Sequence, residues 1–486
     1  MQKQLLRLNP LILLPIVLVA LSLFGFGTSL TSRLLAANFH YPYNYTEGII
    51  VAAFLNTDIY PWMYGDWNQS PFIIMPYNPL FPYAAHWLSQ FSDNAYLGGR
   101  VLAWVCALAS YIVIFLNLRK CSVKKNAAMW WAVFPCALPI ISKNVAVMLP
   151  DYSALLFTLL GLYCFLPTQT QIKPHHKRWW IGIIAFTIAF FFKQNFVWGL
   201  CAVGLHLLLN KRFKDTLVYS AVTLCFLLIP MAILQILTDG QYWLHATFSP
   251  ATVKMWRLHN FLQYWLFFLK DGLWIAPIAF IGMCLALYRS WRHPIALYML
   301  LSLLSSVFLG KIGAGDNYFI EITAAICMAS AWGWSLFRNN KIILLMWIAL
   351  IPFTWLAFQK SIPEFRSIPT IHSSVANSEL PWDELGALIK KGDRDIIIEN
   401  PGLLVSYGKR VVYEPFEFRQ LAAQGKFDES LVIEKIKAHD YTFIVLTTST
   451  YISPYTSRFS SRFLKTVRAQ YKVLGSKDGQ VALIPK

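Results

Sequence analysis

Residues 41–83 read YPYNYTEGIIVAAFLNTDIYPWMYGDWNQSPFIIMPYNPLFPY. The stretch is rich in aromatic residues and proline, carries Glu47, Asp58 and Asp66, and has no Lys or Arg. Apolar spans flank it on both sides. A long loop with carboxylates among aromatic rings, held at a membrane surface, suits hydroxyl and sugar chemistry better than ion conduction. The plainer reading is an interfacial loop whose Tyr and Trp anchor the membrane boundary.

The composition around it is that of a multi-pass α-helical membrane protein. Of 486 residues, 57% are hydrophobic and 14% charged, with a mean hydropathy of +0.48. Soluble domains carry about 25% charged residues. The net charge of +18 invites a nucleic-acid partner, but its placement argues against one. Residues 1–358 hold 24 Lys and Arg against 10 Asp and Glu, and the basic excess sits between hydrophobic spans, where it orients a chain in a bilayer. The expected partners are membrane lipids, and no nucleic acid. The eight cysteines, Cys106 to Cys327, lie in or beside apolar segments, and neither a disulfide framework nor metal-ligand spacing is present.

Alternating basic clusters set the expected topology. Residues 10–31 form an uncleaved first span, the acidic-aromatic loop follows, and Tyr96–Leu118 returns to Arg119, Lys120, Lys124 and Lys125. Ala127–Leu166 is too long for one span and is broken at Ser142-Lys143-Asn144 and Pro150-Asp151, which makes it a hairpin. Trp179–Asn210, broken at Lys193-Gln194-Asn195, lies between His175, His176, Lys177 and Arg178 on one side and Lys211, Arg212 and Lys214 on the other. As a hairpin it keeps both clusters inside. Thr216–Leu237 leads to an outer loop at 238–272. Leu273–Tyr288, Pro294–Leu309, Tyr318–Phe337 and Ile342–Phe358 complete about eleven transmembrane helices, with the N-terminus cytoplasmic.

After residue 358 the texture changes. Trp382–Lys391, Phe416–Ala423, Ser430–Ala438 and Ser461–Gln470 read as helices, Asp395–Glu399 and Thr442–Thr447 as strands, and Val473–Ile484 as a hairpin around Asp478-Gly479. The expected organisation is a transmembrane catalytic domain at 1–358, whose first outer loop is 34–95, and a small extracytoplasmic α/β domain at 359–486. The latter shows no phosphate loop or nucleophile elbow and reads as a lid or acceptor-docking module.

Several motifs together resemble the GT-C superfamily of integral-membrane glycosyltransferases, the relatives of protein O-mannosyltransferases and of the lipid A aminoarabinose transferase. They are YTEG with Glu47, then IYPWMYGDW and YNPLFPY, Pro150-Asp151, Lys193-Gln194, GAGDNYFIE at 313–321, and NPGLLVSYGKRVVYEPFEFRQLAAQGKFD in the tail. The tail looks like the outer domain of bacterial members. Many relatives carry paired acids at the first site, where this chain has Thr46-Glu47.

The resemblance implies an inverting transfer of a sugar from a polyprenyl-phosphate donor to an acceptor hydroxyl on the extracytoplasmic face of the bacterial inner membrane. The acceptor is expected to be a lipid or glycan, as in lipopolysaccharide modification, rather than a protein. Such chemistry needs a carboxylate to take the acceptor's proton and cations to hold the leaving phosphate, with no second carboxyl as acid. Glu47 is the expected base, and Asp66 a second base or an acceptor contact. Lys193, Lys311 and Arg100 are the expected phosphate-binding cations, weighed against lysines that merely snorkel to water. Asp151, Asn317, Tyr318, Glu321 and Tyr77 are the expected sugar and acceptor contacts, with a helix N-cap as the alternative for Asp151. No cofactor is indicated, and the sequence offers no sign of a required divalent cation. Two other readings stay open, a lipid-linked sugar transporter or flippase and a glycan polymerase or ligase with a diphosphate-linked donor. The first expects an internal repeat, and the second expects clustered outer arginines.

Overall fold

The computed structural model describes residues 10–486 apart from 56–61, 167–176, 247–255, 274, 338, 377–382, 453–457 and 478. Asp58, His175, His176, Trp382 and Asp478 lie outside the described residues. The membrane part contains α1 (Pro10–Ala36), α2 (Tyr45–Leu55), α3 (Leu80–Ser89), α4 (Leu97–Lys120), α5 (Lys125–Val133), α6 (Pro139–Ser142), α7 (Asp151–Phe165) and α8 (Lys177–Phe192). It continues with α9 (Trp198–Leu209), α10 (Phe213–Leu237), α11 (Leu258–Gly272), α12 (Ala276–Ser290), α13 (Pro294–Ser305), α14 (Phe319–Trp334) and α15 (Asn340–Ala376).

Both expected hairpins break where polar residues interrupt the apolar run, between α6 and α7 and between α8 and α9. Among the described residues, four helices are long and apolar enough to cross a membrane: Leu13–Ala36, Leu97–Lys120, Phe213–Leu237 and Asn340–Ile371. Between them lie shorter apolar helices, including Asp151–Phe165 and Trp198–Leu209. The segment expected as one short span after residue 127 is split, because Pro135 and Pro139 each remove a backbone donor.

Three regions differ from the sequence reading. The first outer loop contains α2, whose residues Glu47 to Phe54 are buried. The expected outer loop at 238–272 contains α11, which Lys270 and Asp271 had disguised; Asp271 accepts the Ile140 N–H at 2.9 Å. The last helix runs on from Phe358 to Ala376 through Pro363 and Pro369. Packing explains its length. Phe24 of α1 meets Phe358 and Phe365, each at 5.4 Å between centroids, and Ser32 donates to Glu364 at 2.5 Å. Charges at 360–366 end the apolar stretch without ending the helix.

The C-terminal layer comprises α16 (Asp383–Lys391), β1 (Asp395–Ile398), α17 (Gly402–Ser406), α18 (Pro415–Ala423), α19 (Ser430–Lys437), β2 (Tyr441–Thr447), α20 (Thr448–Ile452), α21 (Ser461–Gln470), β3 (Tyr471–Lys477) and β4 (Gln480–Pro485). Its sheet has the order β1-β2-β4-β3, with β1 parallel to β2 and β4 antiparallel to both neighbours.

This layer is built into the first outer loop. Trp67, Phe72 and Ile74 share one buried core with Val412, Phe418, Phe427 and the sheet residue Ile444. The Phe72 N–H donates to Val412 O and the Glu414 N–H to Phe72 O, both at 2.9 Å. Gly48 of α2 and Gly402 of α17 meet backbone to backbone, so that a Cβ on Gly48 would lie 2.4 Å from Gly402 Cα. Only glycine permits that approach. Phe72→Ala removes a ring packed on Phe418 and Phe427 and should cost about 3–5 kcal/mol, read as a lower unfolding temperature in detergent. Trp87→Ala, at a ring 60% exposed, should change stability by less than about 0.5 kcal/mol. Equal effects of the two changes would show that the loop is not part of that core.

Candidate functional site

The site is assembled around an ion pair between Glu47 and Arg100, both fully buried. Asn44 starts α2 by accepting the Glu47 N–H at 3.0 Å, and the Glu47 carboxylate returns to the Tyr43 N–H at 2.6 Å. This is close to a capping box. Arg100 of α4 grips the same carboxylate, Nε to Oε1 at 3.1 Å and Nη2 to Oε2 at 2.7 Å, while the Met148 N–H donates to Oε1 at 2.7 Å. Each carboxylate oxygen therefore accepts two hydrogen bonds, the full capacity of the group.

Arg100 is equally committed. Its remaining N–H groups go to the carbonyls of Ala37, Phe39 and Tyr41, and its plane lies against the Tyr43 and Tyr96 rings. With five donors engaged, no N–H is left for a phosphate. Sequence reasoning gave Glu47 the role of base and Arg100 that of a phosphate ligand. The geometry instead makes the pair a clamp on the end of α1, the start of α2, α4 and the 143–150 turn. Asp66 is engaged in its own turn, accepting from the Asn68 N–H at 2.9 Å and from Gln69 Nε2 at 3.0 Å.

Three residues beyond Met148, a second buried cluster begins. Asp151, the first residue of α7, receives Lys193 Nζ at 2.6 Å, with the two side chains 1% and 6% exposed. Asn317 Nδ2 reaches both Asp151 oxygens, at 3.1 and 3.0 Å. The expected alternative for Asp151, an N-cap, does not hold: α7 has no side-chain cap, because the carboxylate turns to Lys193 and Asn317. Nor does Lys193 snorkel. It sits at the α8–α9 break with its ammonium 5.1 Å from the Tyr318 ring centre. Glu321, on the first turn of α14, is buried within electrostatic reach of Lys193 and Asp151, and its Oε1 has no hydrogen-bond partner among the described residues.

Tyr77 joins this cluster to a cavity of about 240 Å³ beneath the C-terminal layer. Its hydroxyl bonds the Thr46 side chain and feels the charges of Asp151 and Glu417, and burial pushes its pKa up. Glu414, Glu417 and Arg458 also line the cavity. Glu414 caps α18, accepting the Phe416 and Glu417 N–H groups at 3.0 Å, and also receives the Tyr45 hydroxyl. Burial, with the neighbouring Glu417 carboxylate, pushes the Glu414 carboxyl up to about 8. Arg458 lies 4.1 Å over the Tyr45 ring.

Lys311 is placed differently. Its backbone bridges to Trp256, and its ammonium lies 4.5 Å over the Phe308 ring. The nearby Asp316 pairs with Lys143 and accepts from Asn144 Nδ2 at 3.2 Å. Among the described residues, no group of three or more His, Cys, Asp or Glu is placed to hold a metal ion. Asp151, Lys193, Asn317, Tyr318, Tyr77 and Glu321 thus come together, whereas the contacts of Asp66 and Lys311 lie elsewhere. Sequence reasoning missed Glu414, Glu417 and Arg458. The Glu414-Pro415 pair signals a helix start, but nothing local shows that it faces residue 46.

The clamp has a direct test. Glu47→Gln leaves Arg100 buried without a counter-charge, which should cost about 3–5 kcal/mol of stability in thermal or denaturant unfolding. Glu47→Gln combined with Arg100→Met should recover part of that loss, since each partner then lacks the other's charge. Parent-like stability of Glu47→Gln would remove the clamp role and return the carboxylate to the candidate bases.

Comparison with known proteins places the fold and one segment of the sequence beside membrane-protein relatives. Residues 69–246 match the family model of dolichyl-phosphate-mannose-protein mannosyltransferase. No curated protein matches the sequence. Among solved structures, the fold is similar to ArnT from Cupriavidus metallidurans bound to undecaprenyl phosphate. The TM-score is 0.62 at 11% identity, over 96% of this chain and 97% of that one. It is also similar to the oligosaccharyltransferase AglB from Archaeoglobus fulgidus, in complex with an inhibitory peptide and a dolichol-phosphate. There the TM-score is 0.51 at 11% identity, over 95% of this chain and 74% of that one. At such identity the likeness is one of fold. The chain is thus similar to the mannosyltransferase family in sequence over residues 69–246, and to ArnT and AglB in fold over nearly its whole length.

Proposed function

We propose that the protein moves a sugar from a polyprenyl-phosphate-linked donor to a hydroxyl of a lipid or glycan acceptor, with inversion, on the extracytoplasmic face of a bacterial inner membrane. The observation that carries this reading is the buried Asp151–Lys193–Asn317 cluster opening through Tyr77 onto the cavity, in a fold shared with a protein that holds undecaprenyl phosphate. Lys193 supplies the cation for the leaving phosphate, Asp151 and Asn317 hold it in place, and Tyr318 and Tyr77 line the approach. The eleven-crossing topology belongs to the same proposal. It is supported by the convergence of expected outer segments, at 41–47, 143–151, 193 and 313–318, near this cluster.

The acceptor oxygen attacks the anomeric carbon as the bond to the phosphate oxygen breaks, and that electron pair leaves on the phosphate. The acceptor's proton passes to a carboxylate on the opposite face of the sugar, and one such displacement inverts the centre. Asp151 is bonded to the phosphate-binding lysine and is therefore on the wrong side for this. The Glu414–Glu417 pair lines the cavity and is the base in this scheme, with Glu47 and Arg100 as positioning residues.

Binding tests the donor half. Lys193→Met should weaken undecaprenyl phosphate binding by roughly 10- to 100-fold, the value of a charge-assisted contact. Lys193→Met with Asp151→Asn should regain stability without regaining affinity. Affinity within twofold of the parent would exclude Lys193 as the phosphate ligand.

Turnover tests the base. Glu417→Gln should lower it by about 10²-fold or more with lipid binding intact. A base works deprotonated, so parent turnover should rise as pH passes about 8, the position of the Glu414 carboxyl beside Glu417, and then level off. Unchanged turnover in both Glu414→Gln and Glu417→Gln would move the base elsewhere.

A further inference from the structure

A cavity of about 680 Å³ lies away from the cluster described above. It is bounded by the link between α4 and α5, the ends of α12 and α14, the start of α15, and Pro15 of α1. Lys124, Lys125 and Arg289 line it, and among the described residues no Asp or Glu does. Arg289 is held ready by Nη1, which donates to Ser335 Oγ at 2.9 Å and to Trp332 O at 3.3 Å, while its guanidinium stacks 4.9 Å from the Trp332 ring. Its Nε and Nη2 have no partner among the described residues. The rest of the wall is largely apolar, with Trp131, Trp334, Met346 and Trp347.

A basic mouth above aromatic and aliphatic walls, set between helices, matches an amphipathic anion rather than a small soluble one. The two chain segments that supply the cations and the start of α15 are those whose charge pattern places them on the cytoplasmic side. From this geometry we infer that the cavity is a binding site for an anionic glycerophospholipid of the cytoplasmic leaflet, its phosphate held by Lys124, Lys125 and Arg289 and its acyl region by the tryptophans. A basic pocket between helices on that face is suited to such a headgroup. Positive charge alone does not make the site. Lys211, Arg212 and Lys214 form an equally basic inner turn, but there Arg212 is paired with Asp215 at 2.7 Å. Lipid held at the cavity would tie together the inner ends of α4 and α14, which carry Arg100 and Glu321 toward their other ends, with α12 and α15.

The test uses the full chain in phosphatidylcholine nanodiscs with added phosphatidylglycerol, read by native mass spectrometry and by unfolding temperature. The parent should retain phosphatidylglycerol in preference to phosphatidylcholine and be stabilised by it. Lys124→Gln, Lys125→Gln and Arg289→Gln combined should weaken that retention by about 10- to 100-fold. All three side chains are exposed, so the variant should match the parent's unfolding temperature in phosphatidylcholine alone. Lys211→Gln with Lys214→Gln should leave retention unchanged. Equal loss in that control would reduce the effect to diffuse surface charge and overturn the site. So would retention of phosphatidylglycerol by the triple variant, or parent binding of added undecaprenyl phosphate with no phosphatidylglycerol adduct.

Discussion

A fully buried ion pair holds the outer half of this protein in register. Glu47 and Arg100 exchange two hydrogen bonds, and the seven other contacts named above are satisfied by backbone groups or aromatic faces from three chain segments, residues 37–43, Tyr96 and Met148. Taking two charges out of water is costly, and the pair is tolerable only because every donor and every acceptor is used. That completeness has a consequence for chemistry: a carboxylate with no vacant lone pair is a poor place to deliver a proton. The most conspicuous acid of the first loop thus serves the architecture, and it does so by fixing Tyr45 and Thr46 at the edge of the cavity.

The C-terminal layer shares in this constraint. Its core is completed by Trp67, Phe72 and Ile74, and its α17 touches α2 at the Gly48–Gly402 contact. A layer joined by shared core and backbone hydrogen bonds moves with the loop, which is hard to reconcile with a freely opening lid. The same docking carries Glu414, Glu417 and Arg458 to the cavity. Residues nearly 370 positions apart in sequence, Tyr45 and Glu414, are joined by one hydrogen bond.

What could be read in the sequence follows from the range of the forces involved. The strands and most of the helices after residue 380 were legible, because period-two and period-3.6 patterns are local. So were the breaks at Lys193 and Pro150, where polar residues interrupt apolar runs. The buried α2 was hidden inside an aromatic stretch, although Asn44 three residues before Glu47, ahead of an apolar run, is a capping signal. The continuation of α15 past Phe358 depends on α1, and no hydropathy window contains that. Of the site, Asp151, Lys193, Asn317, Tyr318 and Tyr77 were named from motifs. Their mutual contacts, and the saturation of Glu47 and Arg100, depend on pairings 42 to 166 residues apart.

Charge placement gives the site a direction. Lys193 is the buried cation of the cluster, and Asp151 bonded to it leaves that pole compact and close to neutral until a phosphate arrives. A phosphate dianion entering there gains an ammonium and an amide but meets the Asp151 carboxylate, so leaving-group charge is best accommodated on the side of Lys193 facing Tyr318. Carboxylates that must accept a proton are better kept away from that pole, where the lysine would lower their basicity. In the proposed scheme Glu414 and Glu417 satisfy the condition: they line the cavity with Tyr77, away from Lys193, and burial beside the Glu417 carboxylate raises the basicity of Glu414. In the proposed transfer, a cationic pole at Lys193 and carboxylates on the cavity wall, linked through Tyr77, keep leaving-group charge and proton acceptor apart, as an in-line displacement at an anomeric carbon requires.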